Sequence, residues 1–563
     1  MPKTARENFG RQAPASFQPG HARSGGDAGG MNEPAKPAGR LRAWLRSPVR
    51  LALAASGVVF VWAALQFYEP GTGFSSLVGI GDSTDARAVT ALKRVPHYVY
   101  EHSAGYDGAY YAQIAMHPTL DNPELTQAID NLPYRARRML FCWTAWLLGA
   151  GQPAWILQAH ALLNVICWFV LGAVLLRWFP PVDWDRFFRW FAVMFSHGVC
   201  MSVRNSLVDG PSLLVVAIAL RWFEEGRRGR AGVALALAGL GKETSLLATA
   251  GFAEGAAWRT PRAWLHFAGH ALLVALPLLA WMGYIRLKFG PGEDQGLGNF
   301  TLPLAGLAEK WGEAVAGFGL PGTDPRAQWA MLLAVAAITL QGLFFLLRWR
   351  VGDPWWRVGA AFAVMMIFLS TPVWEGYPGA FTRVLLPMTL AFNVTVPRGR
   401  RWLPLLLAGN LSICASGLEF SPPREFFRLS GDGATIAALQ VRPLDWYGSE
   451  NLDGKRWRWS GGHSALRIRN NSERTLVAAF RGHAAATDGD RHLGITVGGV
   501  AVWFSALQVH STEFHFECSL PPGETVVHFT SEKPARPVGD DARPLAFNIA
   551  NLEVVVRAPS SPP

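Results

Sequence analysis

Cysteine is scarce in this chain: 563 residues hold five, and they are scattered. Cys142, Cys167, Cys200 and Cys414 fall inside apolar segments and Cys518 stands alone in the C-terminal tail. That spacing excludes a zinc site and a disulfide within the tail. Tyrosine is also sparse, ten against 24 Trp and 33 Phe; this aromatic load suits lipid-facing and interfacial surface. A cleavable secretory signal is missing, because the first apolar run (51–67) lies too deep and lacks a small-residue cleavage site. The run is expected to be a signal anchor instead. Internal repeats are lacking as well. Acidic residues are outnumbered, 41 against 52 Lys and Arg, for a net charge of +11. The excess gathers in short clusters between apolar runs (RLRAWLRSPVR at 40–50, EEGRRGR at 224–230, RWR at 348–350, PRGRR at 397–401). This is the pattern of cytoplasmic loops, not of a nucleic-acid surface, so no nucleic-acid partner is expected.

What is present is a very apolar middle diluted by polar ends, giving a mean hydropathy of only +0.16. A membrane-crossing helix needs about 20 apolar residues. Candidates are 51–67, 154–177, 187–203, 207–223, 263–285, 328–347, 355–372, 383–397 and 402–418. Residues 139–150 would make a helix of about 18 Å at 1.5 Å per residue. That is short for a crossing, so the segment is predicted to be interfacial or re-entrant, within one outer loop over 69–153. Residues 231–258 are interrupted by Gly241-Lys242-Glu243-Thr244. A charged pair mid-helix is expensive in lipid, so two short helices meeting near the outer face are expected. With these choices about eleven crossings result, and every basic cluster lies inside. The loops at 69–153, 286–327 and 373–383 and the C-terminus then lie outside.

Residues 1–48 read as a disordered basic cytoplasmic arm, rich in Gly and Pro, with Met31 opening a tidier start. Residues 49–420 form the membrane domain. Over 433–563 the pattern changes to short alternating runs (ALRIRN, TLVAAF, EFHFECSL, TVVHFT, LEVVVRA) with Gly498-Gly499 and Pro522-Gly523 at turn positions. Seven or eight such strands predict an all-β sandwich, jelly-roll-like. The fold class is thus an α-helical polytopic membrane protein followed by a soluble β-sandwich. Trp446, Trp457, Trp459 and Trp503 serve either its core or sugar stacking.

Ionisable groups collect on the outer side. Asp107 lies in GYDGAYYAQIAMHP, flanked by Tyr106 and, further on, Tyr110 and Tyr111. A carboxylate there serves either as a general base for an acceptor hydroxyl or as a helix N-cap. Asp130, Tyr134, Arg135, Arg137 and Arg138 follow in IDNLPYRARRML. An Arg cluster on the outer face departs from the charge rule; it binds a lipid phosphate or snorkels to headgroups. Arg204 and Asp209 are placed to pair with each other. Lys242, Glu243, Trp374, Glu375, Tyr377 and Arg383 fall at the same membrane depth, and such groups often mark a site.

Five segments occur in a familiar order: GYDGAYY, YRARR, VDGPS, GKETSLL and FTRVLLP. Together they resemble the bacterial polytopic mannosyltransferase-like proteins of the GT-C fold class, over about residues 50–418. The first also resembles the WDG-type segment of the GPI mannosyltransferases. The resemblance implies a membrane glycosyltransferase, inverting, that takes a hexose from a polyprenyl-phosphate sugar to a glycan, lipid or protein acceptor outside the cytoplasm. It implies Asp107 as the catalytic base and Arg135 and Arg138 as donor-phosphate ligands. Tyr106, Tyr110, Asp209, Lys242, Glu243 and Arg383 are further candidates for substrate contact. Where many relatives carry an Asp-Leu-Thr stretch and an acid, this chain reads Val208-Asp209-Gly210-Pro211, and no second acid stands beside Asp107. No paired carboxylates at ligand spacing accompany it, so no metal or other cofactor is expected. The expected place is the bacterial inner membrane, with the N-terminus cytoplasmic and the β domain periplasmic. The rivals are a lipid-linked saccharide flippase, which predicts repeat symmetry, and a non-catalytic scaffold displaying the β domain.

Overall fold

The computed structural model describes residues 47–558 except 254–259, 291–295, 319–323, 424, 453–454, 489–490, 510 and 540. The N-terminal arm therefore lies almost wholly outside the described residues, as does the choice between Met1 and Met31.

Four helices are long and apolar enough to cross a membrane: Pro48–Leu65, Pro153–Leu175, Pro261–Phe289 and Pro325–Leu347. The chain is built as an integral membrane protein. The other expected crossings are shorter or broken helices. Trp184–Met194 and His197–Arg204 are separate pieces, Asp209–Glu224 and Arg228–Gly241 follow, and Pro354–Phe368 has 15 residues. The run at 383–397 splits because Pro387 has no N–H to continue a helix begun at Phe381–Val384. The last run splits into Leu403–Ala408 and Ile413–Glu419. Between these pieces, Asn410 exchanges amide hydrogen bonds of 2.9 and 3.0 Å with the equally buried Asn393. The Gly241-Lys242 break is present, with Lys242 in extended backbone after the helix ends. The segment after the break, Glu243–Phe252, is a 3-10 helix rather than a second α-helix.

The helical part has two chemically distinct ends. Asp209 opens its helix and Glu224 closes it, which sets them about 22 Å apart at 1.5 Å per residue. At the Glu224 end, its carboxylate accepts from Trp178 Nε1 (3.0 Å) and Trp355 Nε1 (2.8 Å). Arg189 donates there to the carbonyls of Asn393 and Val396, and Arg357 to those of Ala250 and Gly251. At the Asp209 end stand the loop segments predicted to lie outside.

Residues 69–153 fold into short helices around their own core of Phe67, Leu77, Ile80, Tyr111, Ile114, Leu125 and Phe141, distinct from the core between the long helices. The Met139–Leu148 helix has ten residues and buries Met139, Phe141, Cys142 and Ala145.

Beyond Phe427 the described residues are mostly strand, with one short helix at Gly433–Ala437. Twelve strands form among the described residues, more than the seven or eight expected. Short edge strands such as Phe427–Gly431, Glu450–Leu452 and Arg536–Val538 are too brief to display an alternation. Seven long strands hydrogen-bond in the order Val500–Leu507, Arg491–Val497, Gly523–Ser531, Lys455–Asn470, Phe547–Arg557, Leu476–Ala486, Thr512–Leu520. Phe427–Gly431, Leu439–Trp446 and Glu450–Leu452 join them in a ten-stranded sheet, and Arg536–Val538 with Asp541–Leu545 makes a separate ribbon. All ladders are antiparallel except that of Phe427–Gly431. Gly498-Gly499, both at positive φ, form the two-residue hairpin between Arg491–Val497 and Val500–Leu507. Pro522-Gly523 instead joins strands that pair with different neighbours. One core unites the sheet, with Trp446 fully buried beside Phe426, Phe529 and Phe547.

Candidate functional site

The Asp107–Met116 helix begins on Asp107 itself, with Tyr106 as its N-cap residue and no side-chain cap bond. The N-cap role open to Asp107 from the sequence is therefore excluded, and its carboxylate is engaged elsewhere. Gly108 is what lets the helix start here: a Cβ at that position would stand 2.1 Å from the Asn205 carbonyl oxygen. The start of the Asp107–Met116 helix is thereby held against Asn205, just past the His197–Arg204 helix.

Arg135 Nη1 approaches Asp107 Oδ1 at 2.9 Å, and Arg383 Nη2 approaches Oδ2 at 3.4 Å. Burial raises the Asp107 pKa, but Arg383, Arg135 and Arg138 outweigh it, so the carboxyl lies below its usual range. The same Arg383 fork reaches Asp209 Oδ2 through Nη1 at 3.2 Å. Asp209 Oδ1 pairs with Lys242. The expected Arg204–Asp209 pair does not form. Arg204 turns the other way, donating to the Ser76 carbonyl and the Tyr100 hydroxyl, and stacks on Phe67 and Tyr100. Lys242 reaches Asp209 because the helix break leaves it free to turn.

Arg138 Nε binds Glu243 Oε2 at 3.0 Å, and its two other nitrogens donate to the Tyr111 and Tyr134 hydroxyls at 2.8 Å each. Arg135 makes a forked pair with Asp130 (3.1 and 2.8 Å) and stacks over Tyr110, 5.1 Å from the ring centre. A guanidinium carries five N–H donors, so each of these two arginines retains donors for a ligand. Glu243 Oε1 and Arg383 Nε are buried without a hydrogen-bond partner among the described residues.

These side chains line a cavity of about 1000 Å³. Five cations face it (Arg135, Arg137, Arg138, Lys242, Arg383) against two carboxylates, Asp107 and Glu243. Apolar side chains share the lining, among them Leu246, Leu247, Val364, Met365, Phe368 and Val384. A second cavity, of about 650 Å³, shares Arg383 and is otherwise bounded by Tyr106, Arg204, Asn205, Glu375, Tyr377 and Glu419.

Of the residues singled out from the sequence, Asp107, Arg135, Arg138, Lys242, Glu243 and Arg383 line the first cavity. Asp209 stands behind it, 3% exposed and held by Lys242 and Arg383. Tyr106 belongs to the second cavity, and Tyr110 supports Arg135. Trp374 is buried, stacked on Phe381, and donates to the Leu369 carbonyl. Asn299, Phe300 and Phe368 carry no signal in the sequence, yet they wall the first cavity. No group of three or more His, Cys, Asp or Glu side chains suited to a metal occurs among the described residues.

No protein-family model matches the chain, and no curated protein matches it. Two solved structures are similar in part. A family 35 carbohydrate binding module from Clostridium thermocellum aligns over 21% of this chain and 92% of its own, at 14% identity and a TM-score of 0.14. The arabinosyltransferase EmbB from Mycobacterium smegmatis aligns over 94% of this chain and 66% of its own, at 10% identity and a TM-score of 0.34. The chain thus spans just under two thirds of that second protein. Both likenesses are too distant to carry function, which rests on the site itself.

Proposed function

We propose that this chain is a GT-C-type membrane glycosyltransferase that moves a hexose from a polyprenyl-phosphate sugar to an acceptor outside the cytoplasm. The observation that carries the reading is the first cavity, lined by cationic and apolar side chains together. A polyprenyl-phosphate sugar combines the same two characters, an anionic phosphodiester joined to a hydrocarbon chain. Arginine forks match phosphate oxygens bidentately, and Arg135 and Arg138 each keep N–H donors beyond those their described partners take.

In this mechanism the prenyl chain lies along Leu246, Leu247, Val364 and Met365. Arg135, Arg138 and Arg383 hold the phosphate. An acceptor hydroxyl enters through the second cavity and attacks the anomeric carbon from the side opposite the phosphate. The new C–O bond forms as the bond to the phosphate oxygen breaks, and the configuration inverts. Asp107 takes the hydroxyl proton, and the lipid phosphate departs with its charge stabilised by the arginines. A carboxylate held at low pKa is a base by position rather than by strength, so proton removal accompanies attack. Asp209 and Lys242 hold Arg383 in place behind the reacting groups.

The eleven-crossing arrangement, cytoplasmic N-terminus, bacterial inner-membrane location and periplasmic β domain (433–563) belong to the same proposal. The short and broken helices that accompany the four long ones support it, as does the separation of the Glu224 end from the Asp209 end.

The test is sugar transfer from radiolabelled polyprenyl-phosphate mannose or glucose in membranes containing wild type or Asp107→Asn. Transfer by wild type, reduced about 10²- to 10⁴-fold in a folded and inserted variant, is the expected result. Equal transfer by both removes Asp107 from the role of base, and no transfer from either donor overturns the hexosyltransferase reading.

A further inference from the structure

A third cavity lies away from the charged site, where the first helix, the outer loop and the sheet meet. It encloses about 770 Å³, within the range of about 300–1,000 Å³ common for small-molecule pockets. Glu69 and Thr72 reach it from the exit of the Pro48–Leu65 helix, and Tyr98 from the outer loop. Glu425, Phe427 and Arg428 reach it from the segment entering the sheet, and Arg456, Asn551 and Glu553 from two strands.

The geometry around it is fixed. Tyr98 donates to Glu425 Oε1 at 2.6 Å, and Arg458 binds Glu425 Oε2 at 2.9 Å and Glu101 at 2.6 Å. Gly71, at φ +90°, passes so close to the sheet that a Cβ would stand 2.7 Å from the Leu439 carbonyl oxygen. Groups of both signs line the cavity, Glu69, Glu425 and Glu553 with Arg428 and Arg456, and Arg458 is shared between Glu425 and Glu101. The Glu69 carboxylate makes no hydrogen bond or ion pair among the described residues, and the Thr72 hydroxyl is buried with none.

A cavity lined by groups of both signs suits neither a phosphate nor a bare cation. Carboxylate acceptors, guanidinium and amide groups beside the Phe427 and Tyr98 rings suit a neutral ligand with many hydroxyls and an apolar face. Its position adds a second argument. Tyr98 packs edge-on against Tyr100 at 4.8 Å, and the Tyr100 hydroxyl accepts from Arg204, which bounds the proposed acceptor cavity. One wall, Tyr98–Tyr100–Arg204, therefore touches both cavities.

We propose that the junction cavity binds a neutral saccharide chain, through Glu69, Arg456, Asn551 and Glu553, and holds a stretch of the acceptor beside the site. That the ligand is the acceptor rests on the transferase reading; that it is a neutral saccharide does not.

The experiment is isothermal titration of full-length protein in detergent micelles with neutral di- to tetrasaccharides of pentoses and hexoses, alongside a polyprenyl phosphate. Arg456 is exposed, so Arg456→Ala is expected to fold and to weaken saccharide binding about tenfold or more, as loss of a charge-assisted hydrogen bond does. Glu69→Gln is expected to weaken it as well. Saccharide binding that is absent, or indifferent to both junction variants, overturns the proposal. If polyprenyl phosphate still binds in that case, the transferase reading stands without it. Loss of polyprenyl-phosphate binding with saccharide binding intact strikes the transferase reading alone.

Discussion

The charged site in the membrane part and the charged junction beneath the sheet use the same residue types to opposite ends. At the junction two buried or half-buried arginines are matched to carboxylates: Arg458 to Glu101 and Glu425, Arg442 to Asp85, which His97 also meets at 2.9 Å. That network closes on itself and fixes one surface on another. At the site, Arg135, Arg138, Lys242 and Arg383 are met by Asp107, Asp130, Asp209 and Glu243, and single guanidinium groups are divided between acids from distant segments. The lesson is that openness, not the count of charges, separates the two networks. Paired groups that line a cavity and keep spare donors can take a ligand, whereas pairs closed between two surfaces serve only to fix them.

The comparison can be broken most forcefully at Lys242. Replacing it in Lys242→Met leaves Asp209 to Arg383 alone, and removing one partner of a buried pair costs about 3–5 kcal/mol. A thermal melt in detergent should fall accordingly, and an unchanged melt would mean that the pair is as dispensable as a surface bridge. Next is Arg458→Ala, which strands Glu101 and Glu425 together. A loss of about 1–3 kcal/mol is expected, read as faster protease cleavage between residues 420 and 427 with sugar transfer largely kept. A smaller effect sharpens the contrast. Arg138→Lys keeps the charge but loses the fork shared by Glu243, Tyr111 and Tyr134. Binding of polyprenyl phosphate should weaken about tenfold, the worth of one charge-assisted hydrogen bond, with little change in melting.

The smallest expected effect is a pH dependence. Burial and the neighbouring Glu425 push the Glu69 carboxyl up to about 7 from 4.5, against the pull of Arg456. Its protonated form is favoured in the docked structure, so the contribution is fully present below about 4.5 and is lost as pH rises through about 7. Protection of the 69–73 amides, taken relative to their intrinsic base-catalysed exchange, should fall over that window in wild type and stay flat in Glu69→Gln. A slope of the same size in both would place the titration elsewhere. Asp107 runs the other way: its lowered carboxyl keeps the site's ion pairs intact down to acid pH and loses them only below the usual carboxylate range.

Much of the helical layout was legible because its signals are local. A charged pair inside an apolar run announces the break at Lys242, and twin glycines announce the hairpin at Gly498-Gly499. The site was legible only in part. Asp before a helical run reads the same whether it caps the helix or starts it, and the deciding fact, the clearance between Gly108 and Asn205, is tertiary. Nearness along the chain suggested pairing Arg204 with Asp209, whereas the helix end directs Arg204 toward Tyr100. Asn299 and Phe368 were invisible because an uncharged cavity wall looks like any other loop or helix residue. The strand count fell short for the same reason, since a three-residue edge strand has no period to read.

Arg383 has a consequence for how the molecule is made. Its two carboxylate partners lie 276 and 174 residues earlier in the chain. A ribosome feeding a membrane delivers both acids long before the cation that joins them. Until residue 383 emerges, Asp107 has Arg135 and Asp209 has Lys242, but no one group joins the two acids. Completion of the ionic centre is thus a late step of synthesis, and a chain stopped short of it would hold two separate ion pairs in place of one connected network.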